Sequence, residues 1–107
     1  MAKKTIKSAT GTSFHSDTIL ASVEQLEAIL GLATYEDNTG EDKVNFEWDC
    51  ELESGHQSMH GKVFTIYDYK EYRKLSRTEM IEWHIGGQDK AVTMQAYFEL
   101  VDMLKNK

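Results

Sequence analysis

A chain of 107 residues, 40% hydrophobic and 28% charged, can bury one core, since domains commonly run to about 100–150 residues. Its net charge of −6 argues against gripping long DNA or RNA, which draws on surplus Lys and Arg, and its single cysteine excludes an internal disulfide and a Cys-rich zinc site. Seven glycines and no proline exclude a Pro-rich linker, and no apolar run approaches the roughly 18 residues of a membrane span. The start, Met1-Ala2-Lys3-Lys4, lacks the apolar stretch of a signal peptide, so one domain over residues 1–107 in a reducing compartment is expected.

Residues 3–10 hold too few apolar positions to decide strand against loop, and a Gly11-Thr12-Ser13 corner follows. The first helix is predicted over Ser22 to Leu30. Ser22 and Gln25 form a capping box, Val23, Leu26, Ile29 and Leu30 share one face, and Gly31 suits the residue that ends a helix. From Tyr35 to Asp42 the chain reads as a polar loop turning at Asn38-Thr39-Gly40.

The cleanest strand follows. Val44, Phe46, Trp48, Cys50 and Leu52 alternate with Asn45, Glu47, Asp49 and Glu51, which places apolar side chains on one face and acids on the other. Glu53-Ser54-Gly55-His56 is turn material. A second strand over 61–69 carries Val63, Phe64, Ile66 and Tyr67 and reads as covered on both faces. Residues 70–78 form a charged loop, and a third strand over 79–85 places Ile81, Trp83 and Ile85 on one face. Gly86-Gly87 is expected to break that strand. Asp89 then caps a helix over 90–105 whose stripe is Ala91, Met94, Phe98, Val101 and Leu104. The expected fold is α+β: a three- or four-stranded antiparallel sheet with two helices packed on one face, order (β)αβββα. Its core is expected to include Leu26, Ile29, Leu30, Phe46, Trp48, Ile66, Trp83, Phe98 and Val101.

Charge is unevenly placed. Residues 36–53 hold eight acids against Lys43, net −7; residues 62–77 hold five cations against Asp68 and Glu71, net +3. A solvated sheet face beside a solvated loop is the ordinary explanation, and a basic stretch that receives a small anion is the functional one. Gly86-Gly87 before a helix can present free amides to a phosphate, although such a pair is usually only a turn. Tyr67, Tyr69, Tyr72 and Trp83 gather nearby; Trp83 reads as core by period, while Tyr69 and Tyr72 beside Lys70 and Arg73 read as exposed and able to stack on a base. His84 lies opposite the apolar face of its strand. His56 and His60 read as loop histidines rather than metal ligands, and Cys50 as buried and inert. No catalytic spacing is present, so no metal, cofactor or enzyme activity is expected.

The series G-T-S (11–13), K-V-x-F-E-W (43–48), F-T-I-Y-D-Y-K (64–70) and E-W-H-I-G-G (82–87) resembles a widespread group of small phage proteins. That group includes anti-CBASS sponges, which sequester cyclic-dinucleotide immune signals without cleaving them. Tyr69 stands where the group more often has tryptophan, and the 71–79 loop is variable. The resemblance implies a non-enzymatic protein of the host cytoplasm that binds a cyclic di- or oligonucleotide, with no membrane or long nucleic acid as partner. Such a ligand is compact and near two-fold symmetric, so it also suits a homo-oligomer. On this reading Thr12 and Ser13 donate to phosphate or base edges, Lys70 and Arg73 neutralise phosphate, Tyr69 stacks, and His84 with Gly86 and Gly87 completes the polar wall. The alternative is an acidic inhibitor whose Glu47, Asp49 and Glu51 ladder imitates a nucleic-acid backbone. A phosphodiesterase is a third possibility.

Overall fold

The computed structural model describes residues 1–53 and 58–106. The chain runs β1 (Lys3–Lys4), β2 (Ser13–Ala21), α1 (Val23–Leu30), β3 (Tyr35–Glu36), β4 (Phe46–Glu51), β5 (Val63–Tyr67), β6 (Ile81–Gly87) and α2 (Lys90–Lys105). All strand pairs are antiparallel, in the order β1-β4-β5-β6-β2 with β3 also on β4. The α+β class and the pairing of two helices with one sheet are as expected. Four strands have five residues or more, and β1 and β3 add two-residue pairings along β4.

Alternation in β4 does what period two requires: Phe46, Trp48 and Cys50 are buried. Trp48 and Trp83 meet edge to face at 5.5 Å, and each indole N–H is satisfied by a carbonyl, Gly31 O for Trp48 and Ala21 O for Trp83, both at 2.9 Å. Burying such a ring fully while meeting its one donor is the arrangement that a low-dielectric core tolerates. The α1 capping box is present, with Ser22 and Gln25 bonded reciprocally at 3.1 and 3.0 Å. Its buried residues are Val23, Leu26 and Leu30, with Ile29 at the margin. Phe64 and Ile66 are buried on the core face of β5, and Thr65 is buried on the other face, where Val63 and Tyr67 are only partly buried.

Two expectations are corrected, and the optional strand before α1 is located. Residues 13–21 form a long strand that period two did not reveal, because a bulge between Phe14 and Thr18, with Ser16 at φ 73°, resets the alternation. Helix α2 presents Val92, Ala96, Leu100 and Met103 to the sheet, while Phe98 is 59% exposed and Ala91 and Met94 face outward. The helix carries apolar residues on two faces, so periodicity alone does not choose. Thr93 chooses: its hydroxyl donates to Asp17 at 2.6 Å, and Lys90 adds an ion pair to the same carboxylate at 3.0 Å. Lastly, Gly86-Gly87 does not break β6. Gly86 pairs with Phe14 and Thr65, and Gly87 with Ser13 and Phe64. The two glycines face opposite ways. A Cβ on Gly87 would lie 2.8 Å from Thr93 Cγ2, so its lack of a side chain lets α2 close on the sheet.

Candidate functional site

The helices cover one sheet face, and the other carries the polar members of each alternation. Register builds a row across it: Tyr35 opposite Glu47, Glu47 opposite Tyr67, Tyr67 opposite His84, His84 opposite Thr18. Directly opposed residues on one face sit about 4.5–5.5 Å apart at Cβ, so these side chains touch as a series. The next row is Asp49, Thr65, Gly86 and Phe14.

Rings gather where the rows meet. Phe14 stacks on His84 with centroids 4.1 Å apart and planes 18° apart. Tyr69 and Tyr67 approach the same imidazole at 5.2 and 5.5 Å. Burial pushes the His84 pKa below its ordinary value, so the ring is neutral at pH 7. Beside this cluster lies a cleft of about 330 Å³ whose walls include Thr12, Ser13, Thr65, Tyr67, Tyr69 and Gly86, together with Lys43, Val44 and Glu47. Gly86 leaves the space open: a Cβ there would lie 2.5 Å from Thr65 Oγ1 and 3.4 Å from Tyr67 Cε1. A second concavity of about 520 Å³ shares Lys43, Val44 and Glu47 and adds Tyr35 and Asp42.

The loops that supply Lys43, Tyr69 and Lys70 are stitched together by buried polar groups. Asp68 Oδ1 accepts the amides of Asn45 and Phe46, both at 2.8 Å. Asn45 accepts from Gly40 N at 3.1 Å and donates to Arg73 O at 2.8 Å, and Asn38 exchanges two bonds with the Leu75 backbone at 2.9 and 2.7 Å. Lys70 and Tyr72 hold φ values of 57° and 50°, a left-handed conformation that side chains disfavour by about 1–3 kcal/mol. At Lys70 the backbone is held by the bond from its amide to Lys43 O at 2.7 Å.

Electrostatics sorts the cations. Lys43 has no ion-pair or side-chain hydrogen-bond partner among the described residues, and Lys70 Nζ is placed only over the Tyr69 ring, 5.2 Å from its centroid. Arg73 is committed elsewhere. Its guanidinium grips Glu79 through two bonds of 2.8 Å and lies 3.6 Å from Glu71. That grip, with a bond from the Ser76 amide, holds the Glu79 carboxyl down at about 2. Within the acid ladder Glu51 is paired with Lys7 at 3.0 Å, and Glu53 beyond it with Lys3 at 3.1 Å. Glu47 differs. Burial, then a hydrogen bond and repulsion from Asp49, push its carboxyl up to about 7. Among the described residues Asp49 Oδ1 is buried without an N–H or hydroxyl donor, and the Glu47 carboxyl is the neighbouring group that hydrogen-bonds with Asp49.

Of the residues singled out by sequence, Thr12, Ser13, Tyr69 and Gly86 line the cleft, His84 backs its rings, and Lys70 sits over Tyr69. Arg73 does not join them, and Gly87 faces α2. The amides expected to hold a phosphate before α2 are not free for it, because Gly86 and Gly87 are in the sheet and Asp89 caps Val92 N at 3.0 Å. His56 lies outside the described residues, and His60 is exposed, bonded to Glu53 O at 2.9 Å. Among the described residues no metal-holding cluster of three side chains occurs. Sequence reasoning missed Lys43, Glu47, Thr65 and Tyr67 as cleft residues. Lys43 was legible as the one cation within the acidic run.

What the fold and the groove define is an α+β domain whose open sheet face carries rings, two lysines without a carboxylate partner among the described residues, and a carboxyl pushed up to about 7. Comparison with known protein families, characterised proteins and solved structures finds no match to the chain.

Proposed function

We propose that this protein binds and withholds a cyclic di- or oligonucleotide, as the anti-CBASS sponges it resembles do, without cleaving it, in the cytoplasm of an infected bacterium. One observation carries the reading: a preorganised cleft walled by Tyr67 and Tyr69, whose rings pack against His84, is flanked by Lys43 and Lys70, neither of which has a carboxylate partner among the described residues. Rings offer faces for bases, and unpaired ammonium groups offer charge for phosphate. An acidic total is no obstacle, because a compact dianion needs only a few local cations.

The acidic-mimic alternative is weakened at one rung, where Lys7 pairs with Glu51, and at another, where the Glu47 carboxyl is pushed up to about 7. The phosphodiesterase alternative draws on Glu47, since a carboxyl near pH 7 suits general acid–base work. Incubation with cyclic dinucleotides followed by heat denaturation separates these. Recovery of intact ligand supports sequestration, and a linearised or shortened product supports hydrolysis.

The reading includes a homo-oligomer. Leu20, 59% exposed, and Tyr97 line one hollow with Glu82 and Lys105, and Phe98, also 59% exposed, packs edge-on against Tyr97. Light scattering of the full chain tests this: a multiple of the chain mass for the native protein and the monomer mass for Phe98→Glu support it, and a native monomer removes it.

A further inference from the structure

We infer that the second concavity, built on Tyr35, takes the other base of the ligand, so that one chain holds one complete two-base cyclic nucleotide across a ridge formed by Lys43, Val44 and Glu47. This rests on the nucleotide-binding reading above and says where the second half of the ligand goes.

Geometry is the first support. The cleft beside Tyr67 and Tyr69, at about 330 Å³, is at the low end of the ~300–1,000 Å³ that small-molecule sites occupy, which is room for one nucleotide unit rather than two. The neighbouring concavity, about 520 Å³, is not a separate site but shares the same three ridge residues. Register makes the pair nearly symmetric, because Glu47 of β4 has Tyr35 opposite it on one side and Tyr67 on the other. Tyrosines on alternate strands stand two strand spacings apart, roughly 10 Å, with the carboxyl between them.

Chemistry is the second. A cyclic dinucleotide carries its two bases on either side of a compact ribose–phosphate ring. Two tyrosine-walled hollows on either side of an unpaired lysine have that same arrangement of rings and charge. Tyr35 is 42% exposed and Tyr69 is 40% exposed, so both have ring surface to offer without unfolding. Lys70 donates its amide to Lys43 O at 2.7 Å, which fixes the ridge relative to the Tyr69 hollow. Glu47, when protonated, brings no repulsion to the phosphate at the ridge and supplies a donor.

The test compares native protein, Tyr35→Ala, Tyr35→Phe and Tyr69→Ala by calorimetry against cyclic di-AMP, cyclic di-GMP, cyclic GMP-AMP and the corresponding 3′,5′-cyclic mononucleotides. One dinucleotide per chain is expected. Tyr35→Ala should weaken it roughly ten-fold or more, the worth of a stacked base, while Tyr35→Phe retains it. Tyr69→Ala should weaken mono- and dinucleotides alike, and Tyr35→Ala should weaken dinucleotides far more. A dinucleotide affinity untouched by Tyr35→Ala, or one ligand per two chains, overturns the inference and leaves the binding function standing. No heat from the native protein with any probe overturns both.

Discussion

Lys70 donates its backbone amide to the carbonyl of Lys43 at 2.7 Å, and so joins two loops that lie 27 positions apart along the chain at the edge of one cleft. Each lysine lacks a carboxylate partner among the described residues, whereas Lys3, Lys7, Arg73, Arg77 and Lys90 all have one. Leaving ammonium groups unpaired beside aromatic rings, in a chain with surplus acid, is how a surface keeps positive charge available for a ligand. Lys43→Ala and Lys70→Ala should each weaken cyclic-nucleotide binding roughly ten-fold, the scale of a charge-assisted hydrogen bond. The salt dependence of binding should flatten in both. Lys74→Ala, at an exposed lysine outside the cleft, serves as the control, and equal losses at all three positions would count against a local anion site.

The frame behind those lysines depends on Gly40. At φ 80° its hypothetical Cβ would lie 2.6 Å from Arg73 Cα, so any side chain must push the two loops apart. Gly40→Ala should cost at least the ~1–3 kcal/mol of a strained left-handed residue and lower the thermal midpoint by roughly 5 °C or more. Gly11 has a similar φ of 87° but nothing within 4 Å of its hypothetical Cβ. Gly11→Ala should therefore cost less. Differential scanning calorimetry on both variants decides, and equal losses would mean that backbone strain, not the Gly40–Arg73 contact, matters.

Glu47 makes the protein sensitive to pH in a stated direction. Its folded carboxyl titrates at about 7 against an ordinary 4.5, so the folded state holds a proton there that the unfolded state has lost. Stability from this group is therefore full below about pH 4.5 and declines as pH rises through about 7. His84 acts oppositely. Its lowered pKa makes stability decline as pH falls below the imidazole's ordinary 6.5. The two are separated by comparison with Glu47→Gln, which should match the native thermal midpoint near pH 5 and exceed it near pH 8. A constant offset between the two proteins across that range would contradict the assignment.

The same group should tune binding. Asp49 on its own strand, Tyr35 on β3, Tyr67 on β5, and Asp42 and Lys43 in the preceding loop surround Glu47. Above pH 7 an ionised Glu47 adds negative charge beside the ligand's phosphates. Nucleotide affinity should fall several-fold between pH 6 and pH 8 in the native protein, and less in Glu47→Gln. Titrations of both proteins at the two pH values provide the check.

Much of the fold was legible because local rules and tertiary packing agreed. The β4 alternation and the Ser22–Gln25 capping box appear as read, and Trp83 is core as its period required. Strand β2 was hidden because one residue in the left-handed region, Ser16, shifts the phase halfway along. Phe98 was misplaced because α2 is apolar on two faces and a tertiary bond, Thr93 to Asp17, selects between them. Thr12, Ser13 and Tyr69, singled out by motif and local composition, line the cleft, whereas Arg73 is paired with Glu79, six residues on, a pairing that charge counting does not reveal. Glu47 and Tyr67 were missed because period two assigns a face but not what register sets opposite each residue on it.

The decisive measurement of nucleotide binding is titration calorimetry of the 107-residue chain with cyclic dinucleotides at pH 7. Saturable heat at one ligand per chain is expected for at least one of them, reduced by Lys43→Ala and by Tyr69→Ala. A folded protein that gives no heat with any cyclic di- or trinucleotide would contradict it.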